Sequence, residues 1–184
     1  MDKLIAYIES IVKLSQDEKE LVSKFAKIEF YKKNDFVLEQ GKRSNKIWFV
    51  KRGMVRKFHY FDGKEITSWI HTENDIITSL SSYANQNPSD ENIQACEDSE
   101  LISITRSNSN ELAKFQAFTT FSNSLMEKEF VNVDTHTKML HQLDAKGKYE
   151  YLRKIAPEIV KRAKLGHIAS VLGISQETLS RVRK

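Results

Sequence analysis

The spacing of hydrophobic positions changes character along the chain. Leu4, Ile8 and Ile11 recur at helical spacing, and Ser15 followed by Glu18 forms a capping box that opens a second helix. From residue 28 the pattern changes to short runs rich in aromatic and β-branched residues, which predict strands. The predicted strands are 28–31, 36–39, 47–51, 54–60, 65–71, 93–95 and 101–105.

Turn residues separate these strands. Asp62-Gly63 is the strongest signal, because both positions of a two-residue hairpin turn favour positive φ. Strands that follow one another without intervening helices favour an antiparallel barrel or jelly roll over a parallel sheet. The pattern therefore predicts an α+β protein whose N-terminal part is a β-roll of the jelly-roll type.

A long helix follows the last predicted strand. Residues 115–143 contain no glycine or proline, and apolar positions there alternate in steps of four and three. The seam consists of Met126, Phe130, Val133, Thr137 and Leu140. We expect the seam to pair with a second copy of the chain, and packing on the roll of the same chain is the alternative. Residues 146–148, Lys-Gly-Lys, predict a hinge after this helix.

The end of the chain has the pattern of a helix-turn-helix. Ile168 and Leu172 give the first helix an apolar face, Gly173 supplies a sharp turn, Ser175 is a natural N-cap, and Leu179 faces inward from the second helix. The outward positions are polar and suited to a DNA groove: Gln176, Glu177, Ser180, Arg181 and Lys184. A three-helix corner without a role in DNA binding is the alternative.

Charge supports the DNA-binding interpretation. Of the 184 residues, 145–184 carry ten Lys/Arg against three Glu, a net +7, so the rest of the +4 chain is −3. A basic end on a mildly acidic body is typical of a module that binds a polyanion.

The cysteine count and the hydropathy of the chain exclude further classes of protein. A single cysteine, Cys96, excludes an internal disulfide and a cysteine-ligated cluster. No run approaches 18 uncharged apolar residues, and no leader pattern stands at the N-terminus, so we expect a cytoplasmic protein without a membrane partner.

With these motifs, the whole chain resembles the CRP/FNR transcription regulators, particularly their short forms from Bacteroidetes-type bacteria. The most specific segments are 168–183 and, in the roll, 39–41 and 47–53. In that family the Gln-Glu-Thr-x-Ser-Arg stretch begins the recognition helix. The resemblance therefore implies base reading by Gln176, Glu177 and Arg181, and backbone contacts by Ser175, Thr178 and Ser180.

Two departures from the family pattern stand out. Cyclic-nucleotide members bind phosphate with an Arg-Ser or Arg-Thr pair and ribose with a Gly-Glu pair, whereas the corresponding places here hold Thr78-Ser79 and Ser89-Asp90. We therefore expect no binding of cyclic AMP. The β-wing that follows the recognition helix in longer relatives is also missing, so DNA contacts would fall on that helix and on Lys161, Arg162 and Lys164.

The histidines give no sign of a metal or cofactor site. His59 and His71 lie in predicted strands, where a structural role is the more common one. His136 and His141 are five residues apart, which does not match the i, i+4 spacing of a helical metal site. We expect no cofactor and no metal.

These observations predict three regions: a cyclic-nucleotide-binding-like roll with N-terminal helices (1–112), a dimerisation helix (113–145) and a DNA-binding domain (146–184). The predicted function is a homodimeric DNA-binding transcription regulator, not an enzyme, whose small-molecule effector stays open. A metal-dependent enzyme of the cupin type is disfavoured because the roll has no His-x-His motif. The remaining alternative is a ligand-sensing module that acts on a protein partner without binding DNA.

Overall fold

The computed structural model describes residues 1–183, so Lys184 lies outside the described residues. Eight strands form the roll: β1 (Lys27–Tyr31), β2 (Phe36–Leu38), β3 (Lys46–Arg52), β4 (Val55–Phe61), β5 (Lys64–His71), β6 (Ile76–Ile77), β7 (Asn92–Ala95) and β8 (Ser99–Thr105). Four helices precede or adjoin it: α1 (Asp2–Glu9), α2 (Gln16–Phe25), α3 (Leu80–Asn85) and α4 (Arg106–Leu112). Five more follow: α5 (Gln116–Gln142), α6 (Ala145–Ile155), α7 (Pro157–Arg162), α8 (Leu165–Val171) and α9 (Gln176–Val182).

The strands form two four-stranded antiparallel sheets. Their orders are β1-β8-β3-β6 and β2-β7-β4-β5. Alternate side chains point between the sheets and fill the roll with an apolar core that includes Trp48, Val50 and Leu101. Asp62 and Gly63 have φ of 50° and 73° and join β4 to β5, as the hairpin signal predicts. The predicted α+β class and jelly roll are confirmed.

The N-terminal helices cover the outer face of the first sheet. Ser15 and Glu18 form the predicted capping box, in which Ser15 Oγ accepts from the Glu18 amide and the Glu18 carboxylate accepts from the Ser15 amide. Leu4 and Ile8 of α1 are buried against Phe49 and Ile102, the outward residues of β3 and β8.

Two short elements between β5 and β7 were not predicted. Strand β6 has only two residues, and α3 lies in a serine-rich stretch without apolar periodicity. The hydrogen bonds that hold this segment come from positions far away in the sequence. Ser82 Oγ, for example, accepts from the Ser44 amide at 2.9 Å. Such long-range partners cannot be read from the local pattern.

The long helix α5 is packed at both ends and exposed between them. Phe118 and Phe121 are buried beside α1, and Met139 is buried among the C-terminal helices. Met126 and Phe130 between them are 54% and 77% exposed. Of the predicted seam, Met126, Phe130, Val133 and Thr137 are exposed, while Leu140 packs against the C-terminal helices.

The predicted hinge at 146–148 is wrong. Asp144 is the N-cap of α6, and its Oδ1 accepts from the Gly147 amide at 2.8 Å, so these residues form the first turn of a helix. The chain bends at Leu143, which has extended φ and ψ. The capping carboxylate outweighs the modest helix penalty of one glycine.

Helices α6 to α9 share one core with the outside of the roll. Its fully buried members include Leu152, Ile168, Leu172 and Leu179, and Met54 and Ile70 of the roll belong to the same cluster. Across residues 1–183, none of the helices is long and apolar enough to cross a membrane.

Candidate nucleic-acid interface

Helices α8 and α9 are joined by a tight turn that the local sequence specifies. The Ile174 amide donates to the Ala169 carbonyl and the Gly173 amide to the Ser170 carbonyl, each at 3.0 Å. This pair of bonds is the Schellman motif, which needs a left-handed residue after the helix. Gly173 has φ of 61° and meets that need at little steric cost.

The second helix begins at a side-chain cap. Ser175 Oγ accepts from the Thr178 amide at 3.1 Å and lies 3.1 Å from Thr178 Oγ1. Leu179 is fully buried on the inner side of α9, and Val182 is partly buried against the same core. The cap and these apolar anchors fix which side of α9 faces solvent.

The solvent face of α9 carries four of the predicted site residues. Gln176, Glu177, Ser180 and Arg181 are exposed on it. The Glu177 pKa is lowered because its own amide and Ser175 donate to the carboxylate, so the group is an anion at neutral pH. Arg181 Nη2 donates to Thr178 Oγ1 at 3.3 Å, which directs the guanidinium along the helix.

The remaining predicted site residues have different positions. The hydroxyls of Ser175 and Thr178 take part in the cap of α9. Lys184 lies outside the described residues, so its side chain has no position here.

The helix-turn-helix is docked on the roll through α8 and α7. The Thr67 amide of β5 donates to Ser170 Oγ at 2.8 Å. Arg162 Nη1 and Nη2 donate to the two Glu73 carboxylate oxygens at 2.8 and 3.0 Å, and Nη2 also donates to Glu97. Arg162 holds the Glu73 pKa down at about 2. These contacts connect the C-terminal helices to the roll.

The ties revise one expectation from the sequence. Arg162 was predicted to contact DNA, but its guanidinium is committed to two carboxylates of the roll. Lys161 forms an exposed pair with Glu158, at 2.7 Å, and Lys164 is also exposed. Exposed pairs are weak, so Lys161 and Lys164 keep their charge available to a polyanion. No local pattern signals the role of Arg162, because its partners lie 89 and 65 positions away.

The second candidate region is the place of the phosphate cassette, at the start of α3. Ser79 and Ser89 are buried, and their Oγ atoms lie 2.9 Å apart. Ser89 Oγ also lies 2.7 Å from the Glu91 carbonyl oxygen. Residues 79–91 include no Lys or Arg. The serine hydroxyls thus bind each other and the backbone inside the fold.

A partly buried polar cluster of the roll was also missed by sequence reasoning. Glu29 accepts from Lys46, Trp48, Ser103 and Tyr31. These donors outweigh desolvation and lower the Glu29 pKa to about 2. The partners come from β1 itself, from the adjacent β8 and from β3 on the far side of β8, so the cluster connects these three strands.

The histidines do not assemble a metal site. Within the described residues 1–183, no group of three or more His, Cys, Asp or Glu side chains could hold an ion. His71 is buried, and burial with nearby Lys57 lowers its pKa to about 3, which keeps the ring neutral. His136 packs edge-on against Trp69, with ring centroids 4.9 Å apart.

Two comparisons of the amino-acid sequence with known proteins gave one match. The sequence model of the cyclic nucleotide-binding domain matches residues 28–114. No curated protein sequence gives a significant match.

Three solved structures resemble most of this chain. Each is 20% identical to it in sequence, and in each the match covers 82% of the chain of the solved structure. A CooA mutant from Carboxydothermus hydrogenoformans covers 97% of this chain with a TM-score of 0.71. A protein from Eubacterium rectale, described as a transcriptional regulator of the CRP/FNR family, covers 92% with a TM-score of 0.70. FixK2 from Bradyrhizobium japonicum covers 86% with a TM-score of 0.68. At these identities the likeness shows the fold.

Proposed function

From the premise that this chain carries a cyclic nucleotide-binding domain within the fold of the CRP/FNR transcription regulators, we propose that it is a homodimeric DNA-binding transcription regulator. One observation carries the proposal. Helix α9 is anchored by buried Leu179 and presents an unobstructed polar face with Gln176, Glu177 and Arg181.

The side chains of that face match the chemistry of base edges. An arginine such as Arg181 bonds the O6 and N7 atoms of guanine, a glutamine such as Gln176 bonds adenine, and the Glu177 carboxylate accepts from cytosine N4. Ser175, Thr178 and Ser180 lie beside them and are suited to phosphate oxygens. Lys184, the last residue of the sequence, extends the same basic end in our proposal.

The dimer would form along the exposed middle of α5. Met126, Phe130 and Val133 form its apolar stripe. The hydroxyls of Thr135 and Thr137 bond back to the Val131 and Val133 carbonyls at 2.7 and 2.8 Å, so they need no partner across a dimer. Two-fold pairing would place two copies of α9 on half-sites about one helical turn of DNA apart.

We assign the roles to three stretches of the chain. Residues 1–112 form the sensor-like roll with its helices, 113–145 the dimerisation helix, and 146–184 the DNA-binding domain. The roll would act through α5 on the spacing of the two recognition helices.

Cyclic AMP is not the effector in this proposal. The cassette offers Ser79 and Ser89, which bond each other, where a phosphate needs an arginine fork. Asp90 and Glu91 follow directly and would repel an anion. Titration with cyclic AMP should accordingly give no saturable heat signal.

The deciding experiment measures binding to DNA from the region upstream of the protein's own gene and to a scrambled duplex, across a salt series. Arg181→Ala should lose about 1–3 kcal/mol on the preferred duplex and with it the preference. Arg153→Ala is the matched control, since Arg153 is an exposed arginine of α6 paired with Glu150. It should keep the sequence preference.

Two other outcomes would contradict the proposal. Equal weak binding of wild type to both duplexes at every salt concentration would favour the alternative, a ligand-sensing module that acts on a protein partner. A chain that stays monomeric in sedimentation would contradict the dimer. Phe130→Glu should dissociate the dimer. Asn132→Glu should not, because residue 132 lies on the opposite side of α5 from residue 130.

A further inference from the structure

An apolar cavity lies at the base of α5, outside the roll. Its volume is about 80 Å³, and its walls come from α1, α4, α5 and the outer face of the first sheet. On β8 the side chain of Leu101 points into the roll, whereas its neighbour Ile102 lines this cavity. The cavity is therefore separated from the cassette region by the thickness of a sheet.

One polar atom in the cavity wall has no partner. Ser109 of α4 lines the cavity, and its Oγ is buried without a hydrogen bond in the described part of the chain. A buried hydroxyl without a partner is unfavourable, and so is an empty apolar space. An occupant with one polar atom would relieve both.

The long helix forms one wall of the cavity. Phe118, Phe121, Ser122 and Leu125 belong to the first turns of α5, and Leu125 directly precedes exposed Met126. A molecule in the cavity would touch the same helix whose next turns carry the proposed dimer stripe.

We propose that this cavity binds a compact apolar molecule with at most one polar atom, and that its occupancy shifts α5 and so the strength of the dimer. The size limit follows from a reference case: a cavity of about 150 Å³ holds benzene, so this one accommodates about three or four non-hydrogen atoms. Short-chain alcohols and ketones have this size and chemistry. The coupling to the dimer rests on the proposed function, whereas binding in the cavity does not.

The test uses the full chain, with isotope-labelled methyl groups observed by NMR, and two probes, xenon and 2-propanol. In wild type, both probes should shift the methyl resonances of Ile8, Ile47 and Leu125 in a saturable way. Ser109→Leu fills the cavity and should abolish the shifts. Ser107→Leu is the matched control, because Ser107 is exposed on the same helix, and it should leave them unchanged. Ser109→Val is the smaller filling variant if Ser109→Leu does not fold.

A further variant separates the effect of shape from that of hydrogen bonding. Ser109→Ala keeps the space but removes the hydroxyl, so it should still bind xenon and should bind 2-propanol about fivefold more weakly, the effect of one hydrogen bond. Absence of saturable shifts in wild type, or equal shifts in Ser109→Leu, would overturn the site.

The coupling has its own readout. The dimer dissociation constant, measured with and without saturating 2-propanol, should change severalfold in wild type and stay constant in Ser109→Leu. Binding in the cavity with an unchanged dissociation constant in wild type would overturn the coupling and leave the site standing. A chain that is monomeric at all concentrations would contradict the proposed function, and the coupling with it, but not the cavity site.

Discussion

Two short helices of this protein begin at a serine N-cap, and the two serines act in opposite ways. Ser175 caps α9 with its own hydroxyl, whereas the Ser79 side chain makes no cap to α3 and lies against Ser89 instead. The cap of α9 satisfies the helix end locally and leaves the outer side chains free. At α3 the polar groups are turned inward and satisfied by each other.

This contrast indicates which of the two regions can bind a charged ligand. A buried hydroxyl that already has partners must lose them before it can bind anything else. An exposed arginine or glutamine exchanges only water. For this reason α9, rather than the phosphate cassette, is the surface on which we expect recognition.

The largest expected effect comes from removing the anchor beneath the open surface. Leu179 is fully buried, so Leu179→Ala should lower the free energy of unfolding by about 2–5 kcal/mol. Arg181→Ala, two positions along on the solvent face, should change it by less than about 0.5 kcal/mol. Chemical denaturation of wild type and the two variants measures these differences. A loss of stability in Arg181→Ala as large as in Leu179→Ala would show that α9 is not oriented as described.

A loss of stability of intermediate size should distinguish the buried, hydrogen-bonded serines from an exposed serine. Ser89→Ala leaves Ser79 Oγ buried without its partner and should cost about 1–3 kcal/mol of stability. Ser180→Ala, on the exposed face of α9, should cost less than about 0.5 kcal/mol. The double variant Ser79→Ala with Ser89→Ala should be more stable than the two separate losses predict. Additive losses would mean that the two hydroxyls are not coupled.

The smallest effect is the response of a buried side chain of the roll, His71, to mild acid. The folded-state pKa of His71 is about 3 against 6.5 for the unfolded chain, so between these values only the unfolded state takes up the proton. The contribution of neutral His71 to the free energy of unfolding should be almost fully present above pH 6.5. It should fall by about 1 kcal/mol between pH 7 and pH 5.5. The lowered pKa values of His136 and His167 act in the same direction.

Denaturation at several pH values between 7 and 5 checks this slope. His71→Gln should flatten it, and His141→Gln, at an exposed position of α5, should leave it as in wild type. An unchanged slope in His71→Gln would show that another group governs the acid response. The window stops at pH 5 because Glu29 and Glu73, with pKa values lowered to about 2, add their own losses below 4.5.

The elements whose signals are local could be predicted from the amino-acid sequence. The Asp62-Gly63 turn, the Ser15 capping box, the Gly173 turn and the Ser175 cap all depend on residues a few positions apart, where backbone sterics and capping act directly. The alternation of apolar residues was enough to predict the jelly roll, because each strand buries every second side chain.

The contacts between distant segments could not be predicted from the sequence, because they form when separate elements pack together. The pairing of Ser79 with Ser89, the bonds of Arg162 to Glu73 and the cavity beside Ser109 depend on how separate elements pack. The mistaken hinge at 146–148 had a different origin, since the Asp144 cap is itself a local signal and outweighed the glycine signal. Local propensity sets which elements form, but burial and pairing across the chain decide which of their polar groups stay free to bind.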